Sequence, residues 1–82
     1  MPRYFFDIDD GLRLVEDDAG QDLPDRRAAR NMALASLPPI ARDVIPNGNR
    51  HRITVLIRDE EDRPIFRARL ELLAEWLDVP PD

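Results

Sequence analysis

His51-Arg52-Ile53-Thr54-Val55-Leu56-Ile57-Arg58 alternates, with Ile53, Val55 and Ile57 inward. These three fall on one side of an extended chain, with Arg52, Thr54, Leu56 and Arg58 on the other. That period of two marks a strand with one buried face. Asp59-Glu60-Glu61-Asp62 follows and is too charged to bury, so it reads as a hairpin loop. From Ile65 onward two patterns compete. As a strand, Phe66, Ala68, Leu70, Leu72, Ala74 and Trp76 share one face; as a helix, Phe66, Leu70, Leu73 and Leu77 share one stripe. The Ala, Leu, Glu and Arg content favours helix and the alternation favours strand. A strand to about Leu72 is the expectation, with residues 70–77 left open between strand and helix.

The start of the chain repeats this logic. Tyr4, Phe6 and Ile8 share one face of a strand, Asp9-Asp10-Gly11 signals a tight turn, and Leu12 to Glu16 forms a second short strand. Asp17-Asp18-Ala19-Gly20 ends that hairpin. Asp22 or Asp25 then caps a helix that starts near Arg26. Ala29, Ala33, Leu37, Ile40 and Val44 form its apolar stripe. Pro38-Pro39 should kink this helix or split off a short second one. Pro46-Asn47-Gly48-Asn49 is a loop. The expected fold is therefore α+β with order β-β-α-β-β. A four-stranded, largely antiparallel sheet carries one helix on one face, in a single small domain over residues 1–82.

The chain has 82 residues, and 43% of them are apolar, enough for one core. No apolar run approaches the roughly 18 residues of a membrane span, and the opening segment lacks the pattern of a signal peptide. A cytoplasmic location is the resulting expectation. There is no cysteine, which removes disulfides, thiolate metal sites and cysteine nucleophiles. The net charge of −5 is uneven: residues 26–52 carry six arginines and one acid, whereas the flanking segments are acidic. All 12 basic residues are arginine.

Several segments taken in order resemble a known family. They are Met1-Pro2-Arg3-Tyr4-Phe5-Phe6, the acidic-glycine turn, Asp22-Leu23-Pro24-Asp25 with Ala28-Ala29-Arg30, Ile40-Ala41-Arg42-Asp43, Val55-Leu56-Ile57-Arg58-Asp59-Glu60 and Arg63-Pro64-Ile65. The family consists of short alphaproteobacterial proteins defined only as a domain of unknown function. The resemblance runs from Met1 to about Leu72. It implies a small bacterial cytoplasmic protein and no mechanism.

The side chains that carry chemistry are sparse. Asp7, Asp9, Asp10, Glu16, Asp17 and Asp18 could gather around a hard cation, but the spacing of a calcium loop fails because its central glycine would fall on Leu12. Asp is common in turns for its own backbone hydrogen bonds, and the solvated-turn reading is preferred. His51 is the only histidine and sits between Arg50 and Arg52, without an evident orienting partner. Ser36 lies in the helix stripe and Thr54 in a strand, and glycine is too scarce for a phosphate loop. No enzyme activity, cofactor or metal is expected.

Arg26, Arg27 and Arg30 are the anomaly. They occupy the first turns of the helix, where the dipole disfavours cations, and Arg26 and Arg30 repel as an i,i+4 pair. Asp17, Asp18, Asp22 and Asp25 are the first candidates to compensate them, then the acidic face of a second copy, then an external anion. Arg26, Arg27, Arg30, Arg50 and Arg52 are thus the candidate anion or partner contacts. Trp76, with Leu73 and Leu77, reads either as a terminal core anchor or as an exposed partner-binding patch, and the core reading is preferred for a single aromatic in a small domain. The functional expectation is a non-enzymatic interaction module that self-associates as a homodimer through a sheet edge and also fits a protein partner. The alternative is a nucleic-acid-associated or antitoxin-like regulator using the Arg26–Arg52 region, which the overall acidity opposes.

Overall fold

Each segment with strong alternation forms a strand. In a computed structural model that describes residues 1–78, β1 is Arg3–Asp9, β2 Leu14–Val15, β3 Gln21–Asp22, β4 Arg50–Arg58 and β5 Pro64–Leu73. One helix, α1, spans Arg26–Val44 and runs into a short 3-10 turn over Ile45–Asn47. The single-domain expectation covers residues 1–82, and its last four lie outside the described part. The α+β class and the two hairpins stand, with one addition: the order is β-β-β-α-β-β.

The sheet is antiparallel throughout, in the order β2-β1-β4-β5. β3 also pairs with β1, Arg3 opposite Asp22 and Tyr4 opposite Gln21, so β2 and β3 share the same outer edge of β1. Between them Asp17 fills the gap. Its carboxylate accepts from the Phe6 N–H (3.1 Å), and its own N–H donates to the Asp7 carboxylate (3.0 Å). Side-chain bonds thus take over where ladder bonds are missing. The second expected strand is correspondingly shorter than Leu12–Glu16. Asp10 accepts from the N–H groups of Leu12 and Arg13, folding those residues into the turn.

α1 covers the face of the sheet that holds Tyr4, Ile53, Val55 and Ile57. Ala29, Ala33, Leu37, Ala41 and Val44 are its buried stripe, and Ile40 is only partly buried. Small side chains at three of these five positions let the helix approach β4 closely. Asp25 caps the helix by accepting from the Ala28 N–H at 2.9 Å. Pro38 and Pro39 do not split the helix. The carbonyls they leave without donors are those of Leu34 and Ala35, both on exposed residues that water can reach.

β5 resolves the strand-or-helix ambiguity: it is extended to Leu73, and the Ala74 N–H still donates to the Asn49 carbonyl (2.7 Å). A bulge at Ile65 interrupts the register, since Ile57 faces Phe66 and Arg58 faces Pro64. Trp76 corrects the core-anchor expectation. It is 80% exposed, and Leu77 is 92% exposed. Both follow the end of the ladder, beyond the reach of the helix that covers the sheet. Among the described residues no helix is long and apolar enough to cross a membrane.

Candidate functional site

The outer edge of β5 is an open margin of the sheet. β5 has ten residues, pairs with β4 on its inner side, and has no strand on its outer side among the described residues. Its side chains alternate. Phe66, Ala68 and Leu72 are partly buried on the helix side, whereas Arg67, Arg69, Glu71 and Leu73 are exposed on the open side. Leu70 breaks the pattern, because it lies on the helix side yet remains 42% exposed. α1 lies over β4 and leaves this outer strand half covered.

Read outward from Leu70, the edge is self-complementary. Arg69 and Glu71 flank it, then Ala68 and Leu72, then Arg67 and Leu73. Two such edges paired antiparallel about Leu70 would set Arg69 opposite Glu71 twice, Ala68 opposite Leu72 twice and Leu70 opposite itself. No like charges would face each other across that ladder. Within the chain Glu71 contacts Arg52 at 3.4 Å and Arg69 at 3.7 Å, so its carboxylate already sits among guanidinium groups.

At the β5 start, the bulged Ile65 and Phe66 form the floor of an open groove of about 580 Å³ whose walls are Arg26, Arg27 and Arg30. The helix start carries no acid in its first turn. None of the three arginines forms an ion pair among the described residues. The acids first in line to compensate them are engaged elsewhere or lack contact with them: Asp22 pairs with Arg3 at 3.2 Å, Asp25 caps Ala28, and Asp17 holds Phe6, Ala19 and Gly20.

Arg50 and Arg52 are not part of this groove. They line a second hollow of about 790 Å³ at the opposite end of the sheet, with Asp9, Asp10, His51 and Glu71. The five candidate arginines therefore form two separate groups. His51 Nε2 is buried there without a hydrogen-bond partner among the described residues. The Ser36 hydroxyl donates to the Ala33 carbonyl at 2.6 Å. Among the described residues no group of three or more His, Cys, Asp or Glu side chains is placed to hold a metal ion.

One network was not legible from spacing. Arg58 donates through Nε to Asp7 at 2.7 Å and through Nη2 to the other Asp7 oxygen at 2.9 Å. It also donates to the Asp17 carbonyl and to Asp62, and its guanidinium lies 5.2 Å from the centre of the Phe5 ring. Asp7 is only 6% exposed. Its hydrogen bonds with Arg58 outweigh the effect of burial and hold its carboxyl below the ordinary value. Burial pushes the Asp17 carboxyl up, but N–H donors from Gly20, Phe6 and Ala19 more than offset that and leave it lowered. Arg58 is raised in turn, first by Asp7 and then by Asp62. The bonds from Arg58 to Asp7, the Asp17 carbonyl and Asp62 tie β1 to β4 and to the segments that flank them.

A family model described as Domain of unknown function (DUF6894) matches residues 3–71. No curated protein and no solved structure matches the chain.

Proposed function

The chain belongs to the family described as Domain of unknown function (DUF6894), and on that premise we propose that it is a non-enzymatic interaction module that pairs two copies of itself along β5. The observation that carries this reading is the ten-residue outer edge of β5, uncovered among the described residues and self-complementary about Leu70. An uncovered edge of this length presents a row of unpaired N–H and C=O groups, and natural proteins either blunt such an edge or use it. Antiparallel pairing about a two-fold axis joins the two sheets into one and brings two half-exposed Leu70 side chains together. The sequestered Ser36 hydroxyl supports a role without catalysis. The resemblance to short alphaproteobacterial proteins supports a bacterial, cytoplasmic setting.

Light scattering tests the proposal. The expected mass at micromolar concentration is about 19 kDa, twice the 9.5 kDa of one chain. Leu70→Lys sets two ammonium groups against each other at the axis and should return the mass to that of one chain. Leu70 is half exposed, so the variant should keep the far-UV spectrum of the native fold. A single-chain mass for the native protein at all concentrations overturns the proposal. So does a Leu70→Lys variant that remains a dimer.

A further inference from the structure

The groove of Arg26, Arg27 and Arg30 needs an occupant, and the exposed end of the chain needs a cover. We propose that the two belong together across the dimer: Glu75-Trp76-Leu77-Asp78 of one copy docks into the arginine groove of the other. This rests on the β5 pairing proposed above and adds a second contact to it.

The register leads to this placement. Pairing about Leu70 sets Ala74 of one copy opposite Phe66 of the other. One step further sets Glu75 opposite Ile65, and the next sets Trp76 opposite Pro64. Ile65 and Phe66 are the floor of the groove. Alternation continued past Leu72 and Ala74 directs Trp76 to the helix side of the sheet, where the three arginines stand.

The chemistry matches on three counts. Trp76 and Leu77 are the largest exposed apolar surface at this end of the chain, and Ile65 and Phe66 offer them an apolar floor. The indole face is the best aromatic partner for a guanidinium, and three of these line the walls. Glu75 and Asp78 flank the indole with two carboxylates, which answer the like-charge repulsion at the helix start.

A copy cannot fill its own groove this way. Phe66 and Ala74 stand at opposite ends of β5, about 27 Å apart at the usual rise per strand residue. Trp76 lies two residues beyond Ala74, a reach of about 7 Å. Only an antiparallel second copy brings the tail to the groove.

Trp76 is the only tryptophan, so its fluorescence reports the contact directly. In the native dimer its emission should be blue-shifted, and acrylamide should quench it several-fold less than in monomeric Leu70→Lys. Replacing Arg26, Arg27 and Arg30 together with Gln should restore full quenching and raise the dimer dissociation constant by about tenfold or more, the scale of a lost aromatic–arginine anchor. Trp76→Ala, at a surface position that does not endanger folding, should weaken the dimer to the same degree. A native dimer whose Trp76 is quenched as readily as in the monomer overturns the docking while leaving the β5 pairing intact. Dimerisation unchanged in both the triple Gln and the Trp76→Ala proteins also overturns it. A native protein that stays a single chain removes the edge pairing, and the docking with it.

Discussion

Among the described residues Asp7 is the one acid with almost no contact with water, and Arg58 makes that tolerable. A buried carboxylate costs several kcal/mol unless its oxygens are paired, and here both oxygens accept from one guanidinium. Asp7→Asn keeps the shape and removes the charge. Arg58 retains Asp62 and the Asp17 carbonyl, so the expected loss is about 2–3 kcal/mol rather than the larger cost of a fully orphaned ion. Urea unfolding at neutral pH measures it. The same pair sets an acid limit. The folded Asp7 carboxyl lies below its ordinary value of 3.8, so its contribution is complete above that value and is lost as pH falls through the lower folded one. Asp17 shifts in the same direction and acts with it. The urea midpoint of the native protein should therefore fall steeply below about pH 4, and that of Asp7→Asn should fall less. Equal acid slopes in the two proteins would show that the pair does not set the limit.

Among the elements, α1 depends most on its first turn. Asp25 supplies the cap, and the three arginines that follow oppose the dipole. Asp25→Ala should cost about 1 kcal/mol, the usual value of a lost N-cap, read from thermal or urea unfolding. A change near zero would mean that the packing of Ala29 and Ala33 alone holds the helix start. The elements also differ in how far the sequence discloses them. β4 is plain because Ile53, Val55 and Ile57, three β-branched residues spaced two apart, are buried on one side. β3 is hidden because two residues have no period; the free edge of β1 and the Arg3–Asp22 ion pair place Gln21 and Asp22. β5 reads two ways because Leu70, Leu72 and Leu73 satisfy both periods, and the choice depends on β4 offering a ladder. Residue type alone favours the core for Trp76. α1 packs through small alanines, so it lies close over β4 and gives a distant aromatic no room beneath it. The arginine groove was half legible: the charges stand out in sequence, whereas the Ile65 and Phe66 floor appears only once the bulge has turned both toward the helix.

As a whole the molecule is long for its size. Its radius of gyration is 15.8 Å, against about 12 Å for a compact chain of this length, and its longest extent is 58 Å. A shape so drawn out leaves a modest core and much half-covered sheet. Pairing along β5 would add burial where it is lacking, so stability should depend on protein concentration. The thermal midpoint should rise by several degrees over about a hundredfold increase in concentration, as it must when the folded state is a dimer and the unfolded state is not. A midpoint independent of concentration would exclude such linkage. The opposite margin of the sheet decides what kind of assembly follows. There Asp17 occupies the position that a further ladder would need, and two-residue strands on either side of it bend the backbone away from a straight template. One margin is thus sealed and the other open, so a pair that joins open margin to open margin has nothing left to recruit a third copy. In the proposed dimer growth would end at two chains, and an exposed strand that in a two-edged sheet would seed fibres would become a device for counting.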